Sequence, residues 1–216
     1  MSQEGERRCR RSTPWATHVA GGSVDNASAM TRRLLTVVAV VMVVAAATAY
    51  AAVNPIPPNR YPPGCNPNGD ALRGDEADDR MLGTLRRDLL LGGPGEDRLG
   101  GNWGADCLFG QSDEDRVVGG RDNDTIRGGS GADLLGGSRG KDVVNGGRGA
   151  DTIRGRSTND LLAGGRGSDH LQGGTGRDRI RDVRGHNRID CGKKVDKVVT
   201  NERSEVAANC EHVTRR

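Results

Sequence analysis

Apolar and polar positions repeat along this chain with a period of nine residues. In the nonapeptide GGRGADTIR (146–154), the apolar Ile153 stands between two polar residues, and the first six positions are rich in glycine and end on Asp151. Polar, apolar and polar residues in alternation are typical of a very short strand with one face inward. Glycines permit the backbone angles of a tight turn. The pattern therefore predicts a strand in the last three positions and a turn in the first six.

The nonapeptide keeps its register through most of the chain. We number its positions so that position six is the aspartate and position eight the apolar residue. Position one is glycine in every repeat from Gly74 to Gly173, and position six is aspartate from Asp70 to Asp178, after which Asn187 interrupts the series and Asp196 resumes it. An internal repeat of this kind decides the architecture. The apolar residues at position eight are Leu72, Met81, Leu90, Leu99, Leu108, Val117, Ile126, Leu135, Val144, Ile153, Leu162, Leu171, Ile180, Ile189 and Val198.

Such short strands cannot fold alone, but two nonapeptides can close one coil of 18 residues. Stacked coils then bury the position-eight residues as a continuous column between two sheets. The composition agrees with a thin core, because the chain has only 2% aromatic residues and these usually supply much of the buried area. We predict an all-β protein, a parallel β-roll (β-solenoid) of 18-residue coils.

The aspartates at position six create an electrostatic problem that a cation would solve. Residues eighteen apart, such as Asp133 and Asp151, fall on the same edge of successive coils, ~4.8 Å apart at the backbone. Their repulsion raises their pKa or unfolds the loop unless a divalent cation lies between them. Carboxylate and carbonyl oxygens in a flexible loop suit Ca²⁺ better than Zn²⁺, Cu²⁺ or Mg²⁺. The predicted ligands of several Ca²⁺ ions are Asp97, Asp106, Asp115, Asp124, Asp133, Asp142, Asp151, Asp160, Asp169 and Asp178.

The repeat resembles the RTX, or haemolysin-type, calcium-binding nonapeptide G-G-x-G-x-D-x-U-x, in which U is a large apolar residue. The resemblance covers about residues 65–199. It implies a parallel β-roll that holds Ca²⁺ in its turns and whose folding depends on the ion. The short chain, with its leader and cysteine-containing tail, resembles small secreted bacterial members that consist of little besides repeats.

Repeats alternate between the two edges of the predicted roll, and the edges match the full G-G-x-G-x-D loop unequally. On one edge, which we call the first edge, full loops begin at Gly92, Gly128, Gly146 and Gly164. The second edge has one full loop, at Gly173, and degraded loops such as GSRGKD (137–142) and GRSTND (155–160). Lys141 adds a competing charge there. We therefore expect the two edges to bind Ca²⁺ unequally, with the first edge favoured.

The residues before the repeats are typical of an export signal. Arg32 and Arg33 precede an apolar run that ends in small residues, and we expect cleavage after Ala49 or Ala51. The mature protein would then be secreted and extracellular. The alternative is an uncleaved membrane anchor, because residues 34–53 are about long enough to span a bilayer. The predicted organisation is an unassigned N-terminal extension (1–29), a signal peptide (30–51), a Pro-rich linker (52–64), the β-roll (65–199) and a C-terminal cap (200–216).

Charge and composition exclude several classes of function. Residues 1–51 hold six arginines against three acidic residues, and the rest of the chain is balanced at 26 of each, so we expect no nucleic-acid partner. The histidines have no metal or catalytic spacing, the turn serines lack a triad, and little chain lies outside the repeats to build a pocket. We expect a monomer without enzymatic activity. The alternative function is an envelope-anchored surface or adhesion protein that uses the roll as a Ca²⁺-rigidified spacer.

Four cysteines follow the leader, an even number that favours disulfides in an oxidising compartment. Cys191 replaces the position-one glycine where the register fades, and Cys210 lies in the non-repetitive tail. We expect these two to be bonded as a clamp on the C-terminal cap, which leaves Cys65 with Cys107 by elimination. Trp103, in the loop GNWGAD, keeps two interpretations, a partner contact or a cap on the thin core.

Overall fold

The computed structural model describes residues 54–55, 62–182, 184–194 and 196–216, and every regular element in these ranges is a strand. The predicted extension, signal peptide and most of the linker lie outside the described residues. In the described part of the chain, no helix is long and apolar enough to cross a membrane. The strands are β1 (Asn54–Pro55), β2 (Ala71–Arg73), β3 (Arg80–Leu82), β4 (Leu89–Gly93), β5 (Arg98–Trp103), β6 (Cys107–Ser112), β7 (Arg116–Arg121), β8 (Thr125–Ser130), β9 (Leu134–Arg139), β10 (Val143–Arg148), β11 (Thr152–Ser157), β12 (Leu161–Arg166), β13 (His170–Thr175), β14 (Arg179–Asp182), β15 (Arg188–Lys193), β16 (Lys197–Thr200), β17 (Glu205–Val206) and β18 (His212–Arg215).

The strands form two sheets that alternate along the chain. The ten-stranded sheet has the order β1-β2-β4-β6-β8-β10-β12-β14-β16-β18, and the eight-stranded sheet has the order β17-β15-β13-β11-β9-β7-β5-β3. Neighbours are parallel except for β1, which pairs antiparallel with β2. Ile153 pairs with Leu135 and Leu171, eighteen residues away on either side. The protein is therefore a parallel β-solenoid of about eight coils, which confirms the predicted fold.

Most strands are longer than the sequence pattern predicted. β11 spans six residues, which occupy positions seven to nine of one repeat and one to three of the next. The prediction of a turn over positions one to six is thus wrong for its first half. The physical reason is that residues at positions two and three also pair across coils, as Arg156 does with Gly174, so the backbone polar groups stay in the ladder.

The core is the column of position-eight residues. From Met81 to Val198 each of them is at most 3% exposed, and together they form one cluster between the two sheets. Burial of each such side chain contributes about 1.5–3 kcal/mol. Trp103 does not belong to this core, because it is 45% exposed and the Arg121 guanidinium lies 4.0 Å from the centroid of its ring.

Both expected disulfides are present, Cys65–Cys107 and Cys191–Cys210. Cys65 and Cys107 pack with Leu89 in a small second cluster near the start of the roll. At the other end, the tail continues both sheets, because β17 pairs with β15 and β18 pairs with β16. The Cys191–Cys210 bond fastens this last coil to the core.

Candidate metal centre

The structure places all ten predicted ligands at equivalent corners of the roll. Each follows a turn and directly precedes a strand, and its side chain points inward, because positions six, eight and one alternate with outward-facing residues along the extended backbone. Exposure of these side chains is between 1 and 3%. They form one row along each edge. The row of the first edge contains Asp97, Asp115, Asp133, Asp151 and Asp169; the row of the second edge contains Asp106, Asp124, Asp142, Asp160 and Asp178.

One oxygen of each carboxylate joins successive coils. The backbone N–H of Asp133 donates to Oδ1 of Asp151 at 3.0 Å, and the N–H of Asp151 donates to Oδ1 of Asp169 at 2.9 Å. The second edge repeats this arrangement, as the 2.9 Å hydrogen bond from Asp142 N–H to Asp160 Oδ1 illustrates. These side chains therefore reinforce the stacking of the coils, a role that the sequence analysis did not assign to them.

The other carboxylate oxygen is left without a partner. In all ten residues Oδ2 is buried and has no hydrogen-bond partner among the described residues. A buried carboxylate oxygen in this state costs free energy unless a cation or a proton compensates its charge. The rows of Oδ2 atoms are thus the part of the roll whose negative charge a cation would compensate.

At most corners the glycine at position one leaves room for a second oxygen beside Oδ2. A Cβ added to Gly146 would collide with Oδ2 of Asp151 and would lie 2.6 Å from the carbonyl oxygen of Gly164 in the next coil. On the second edge, a Cβ on Gly155 would meet Asp160 Oδ2 and the carbonyl oxygen of Gly173 in the same way. A carboxylate oxygen and a carbonyl oxygen from successive coils therefore converge on one point.

This set of oxygen donors fits Ca²⁺, which takes carboxylates and backbone carbonyls in irregular geometry. Within the described ranges, no three His, Cys, Asp or Glu side chains come together as a metal-binding group. A cation at these corners would therefore take part of its coordination from backbone carbonyls such as that of Gly164.

The two edges share this geometry and differ in backbone strain. In most loops positions two and four have positive φ, which glycine adopts freely, as at Gly147 (118°) and Gly149 (129°). The degraded loops keep the same turn with other residues, such as Ser138 (88°) and Arg156 (78°), each at a cost of roughly 1–2 kcal/mol. All such non-glycine residues except two lie on the second edge, and the exceptions are Gln111 and Asp113.

Burial sets the protonation of these carboxyls. It raises the pKa of Asp151 from 3.8 to about 7, the Asp133 N–H lowers it, and the charges of Asp133 and Asp169 add a smaller rise. Burial likewise raises the pKa of Asp124 to about 8 and that of Asp142 to about 6. The predicted rise is therefore present, but its main cause is loss of hydration, not the repulsion within the row.

Asp182 is a buried acidic residue outside position six, and the repeat pattern did not single it out. It occupies position one at the end of β14, is 1% exposed, and has no hydrogen-bond partner for either carboxylate oxygen in the described part of the chain. Burial, and next the charge of Asp169, raise its pKa to about 7. The sequence does contain a sign of this site: within one repeat, Asp182 replaces the usual glycine at position one and Asn187 replaces the usual aspartate at position six.

With its parallel coils and its rows of buried carboxylate and glycine carbonyl oxygens along the corners, the protein belongs to the β-roll class of β-solenoids. The chain belongs to the RTX calcium-binding nonapeptide repeat family, whose model matches residues 73–108, 109–144, 136–171 and 163–190. These stretches together cover more than half of the 216 residues, and the match confirms the resemblance found in the sequence. No curated protein matches the chain.

Proposed function

We propose that this protein is secreted, has no catalytic activity, and folds around several Ca²⁺ ions held along the two edges of its roll. The observation that carries the proposal is the row of Oδ2 atoms, buried and without hydrogen-bond partners among the described residues. At neutral pH such a row destabilises the folded chain unless cations offset its charge. Membership of a calcium-binding repeat family supports Ca²⁺ as that cation.

The ligands of a typical site come from two successive coils. Oδ2 of Asp151 and the carbonyl oxygen of Gly164 would contact one ion, and the same pair of positions recurs along both edges. The bound ion supplies positive charge. Because such a site exists only when the coils are stacked, the free energy of binding adds to the free energy of folding. We expect affinities on the order of 10⁻⁴ to 10⁻³ M, as in extracellular calcium modules.

The absence of catalysis is proposed because the residues of the coils serve to build the core and the edges of the roll. Nearly every described residue belongs to a coil, and in the repeats that begin between Gly74 and Gly173 the inward positions one, six and eight hold glycine, aspartate or an apolar side chain. Such side chains build a core and an ion-binding edge, and they leave the outer faces of the sheets for contact with partners.

The test uses protein expressed from residue 52, which retains every described strand. Calorimetric titration with Ca²⁺ at pH 7.5 should yield several binding events, and circular dichroism should report β-structure that appears during the titration. Mg²⁺ at equal concentration is the control and should restore little of it. A chelated sample that keeps its full β-spectrum at this pH would contradict ion-dependent folding.

Secretion is tested separately from ion binding. The mass and N-terminal sequence of the protein recovered from its producing cells should place the first residue at 50 or 52 if the leader is cleaved. A protein that retains residues 34–53 and sediments with membranes would instead support the alternative, an anchored surface protein that uses the roll as a rigid spacer.

A further inference from the structure

One repeat near the end of the roll, residues 182–190, exchanges the chemistry of two positions. Position one, glycine in every repeat from Gly74 to Gly173, holds Asp182, and position six, elsewhere the buried aspartate, holds Asn187. The repeat therefore keeps one acidic residue in its loop but carries it at a different corner position. The structure shows what each of the two residues does there.

Asn187 keeps the stacking role of the residue that it replaces. Its Oδ1 accepts a 3.0 Å hydrogen bond from the backbone N–H of Asp169, as a position-six Oδ1 does in the other coils. Its Nδ2 donates a 2.7 Å hydrogen bond to the carbonyl oxygen of Arg184. The amide is thus paired at both ends, and it offers no free oxygen of the kind that the aspartates present.

Asp182 faces the carboxylate of Asp169 across the coil interface. Oδ2 of Asp182 and Oδ2 of Asp169 both occupy the space that a Cβ on Gly164 would fill. The backbone N–H groups of Gly165 and Arg184 lower the pKa of Asp182, but neither forms a hydrogen bond of normal geometry with its carboxylate. Three buried carboxylate oxygens, two of Asp182 and one of Asp169, therefore have no N–H or hydroxyl donor within the described residues, and the two carboxyls face each other directly, so either a shared proton or a cation must offset their charge.

We propose that Asp169 and Asp182 form a separate Ca²⁺ site at the C-terminal end of the first edge, with two carboxylates on one ion. The typical corner brings one carboxylate and one carbonyl oxygen together, whereas this corner brings two carboxylates together. Ligand charge is one of the factors that tune Ca²⁺ affinity, so this site binds tighter than the repeated corners. The proposal rests on the proposed function, because it takes Ca²⁺ as the ion of the roll.

The first test compares the parent protein with Asp182→Asn, which keeps the size of the side chain and removes its charge. Calorimetry with Ca²⁺ should show that the tightest binding event is lost, so that the first dissociation constant increases about tenfold. The variant should also bind one ion fewer per chain at saturation. Asp190→Asn is the matched control, because Asp190 lies one strand further on and Asn retains the Oδ1 that accepts from Gly192 N–H. It should leave the titration unchanged.

The second test restores the ordinary repeat with the double variant Asp182→Gly/Asn187→Asp. This variant should bind at least as many ions as the parent but lose the tightest event, and it decides the question if Asp182→Asn fails to fold. Unchanged first affinity and stoichiometry in both variants would overturn the two-carboxylate site while leaving the proposed function intact. A parent protein that binds no Ca²⁺ would overturn both.

Discussion

The backbone N–H of Asp133 donates a 3.0 Å hydrogen bond to Oδ1 of Asp151, while Oδ2 of Asp151 is buried without a partner among the described residues. The two oxygens of one carboxylate therefore have different roles. Oδ1 stabilises the stacking of coils in any state of the protein that is folded, and Oδ2 requires a compensating charge. This division makes stability and ion binding separable by mutation and by pH.

Gly146→Ala should destabilise the roll by about 2–3 kcal/mol, because overpacking a filled interior costs roughly that amount. The new Cβ would displace Asp151 Oδ2 and crowd the carbonyl oxygen of Gly164, so one bound Ca²⁺ should also be lost. Urea unfolding in saturating Ca²⁺ measures the first effect. Gly136→Ala is the control, since its Cβ would meet only Arg156 Nε at 4.0 Å, and it should change stability by less than about 0.5 kcal/mol. Similar midpoints for the two variants would refute the crowding.

Asp151→Ala should lose more bound Ca²⁺ per chain than Asp160→Ala. Both variants delete the same hydrogen bond to a backbone N–H, at 3.0 and 2.9 Å, so the comparison is matched. The difference arises because the loops around Asp151 have glycine at positions two and four, whereas the Asp160 loop holds Arg156 and Thr158 at positive φ. Stoichiometry at saturation is the measurement. Equal losses would show that strain in the turns does not affect ion binding.

Without metal, the folded protein should be most stable in mild acid. Burial raises the pKa of Asp142 from 3.8 to about 6 and that of Asp124 from 3.8 to about 8. Between pH 3.8 and the raised pKa of each carboxyl, the folded state therefore binds more protons than the unfolded chain. Stability then falls as pH rises through this window. In chelator, circular dichroism should show β-structure at about pH 4 that is lost by about pH 8, whereas excess Ca²⁺ should abolish the loss. If the metal-free protein were more stable at pH 8 than at pH 4, the predicted direction of the pH dependence would be wrong.

Ser138→Gly should stabilise the second edge by about 0.5–1 kcal/mol, because glycine removes the strain of a positive φ of 88° and adds a smaller entropic cost. Arg139→Gly, one residue further on in β9, has no such strain to relieve and should destabilise by about 0.5–1 kcal/mol. Thermal unfolding in saturating Ca²⁺ should therefore show a higher midpoint for the first variant and a lower midpoint for the second. Destabilisation by both variants would mean that the turn tolerates serine without strain.

Loss of the Cys191–Cys210 bond should loosen the last coil first. The double variant Cys191→Ala/Cys210→Ala should cost about 2–4 kcal/mol, because the disulfide no longer restricts the unfolded tail. β17 and β18 each pair with a single neighbouring strand, so hydrogen exchange should rise there before it rises in β10 to β13. The control is Cys65→Ala/Cys107→Ala, which should accelerate exchange around β2 and β4 instead. Uniform acceleration over the whole roll in both variants would contradict local clamping.

The sequence by itself determined the repeat, the buried column and the two edges. A period of nine with one apolar residue in a constant place leaves only one face for the core, and the position-eight residues from Met81 to Val198 are indeed buried. The unusual position of Cys191, a cysteine where glycine is expected, was enough to predict its bond with Cys210. These features follow from spacing along the chain, which is a one-dimensional property.

Only the tertiary structure decided how residues eighteen apart use the space between coils. It extended the strands through positions one to three, because backbone groups there find partners in the neighbouring coils. It divided each carboxylate between a stacking hydrogen bond and an unpartnered oxygen, and it made burial the main cause of the raised pKa values. It also brought Asp182 against Asp169. The physical reason is that hydration, close approach and hydrogen-bond geometry depend on distances between coils, and those distances exist only once the coils are stacked.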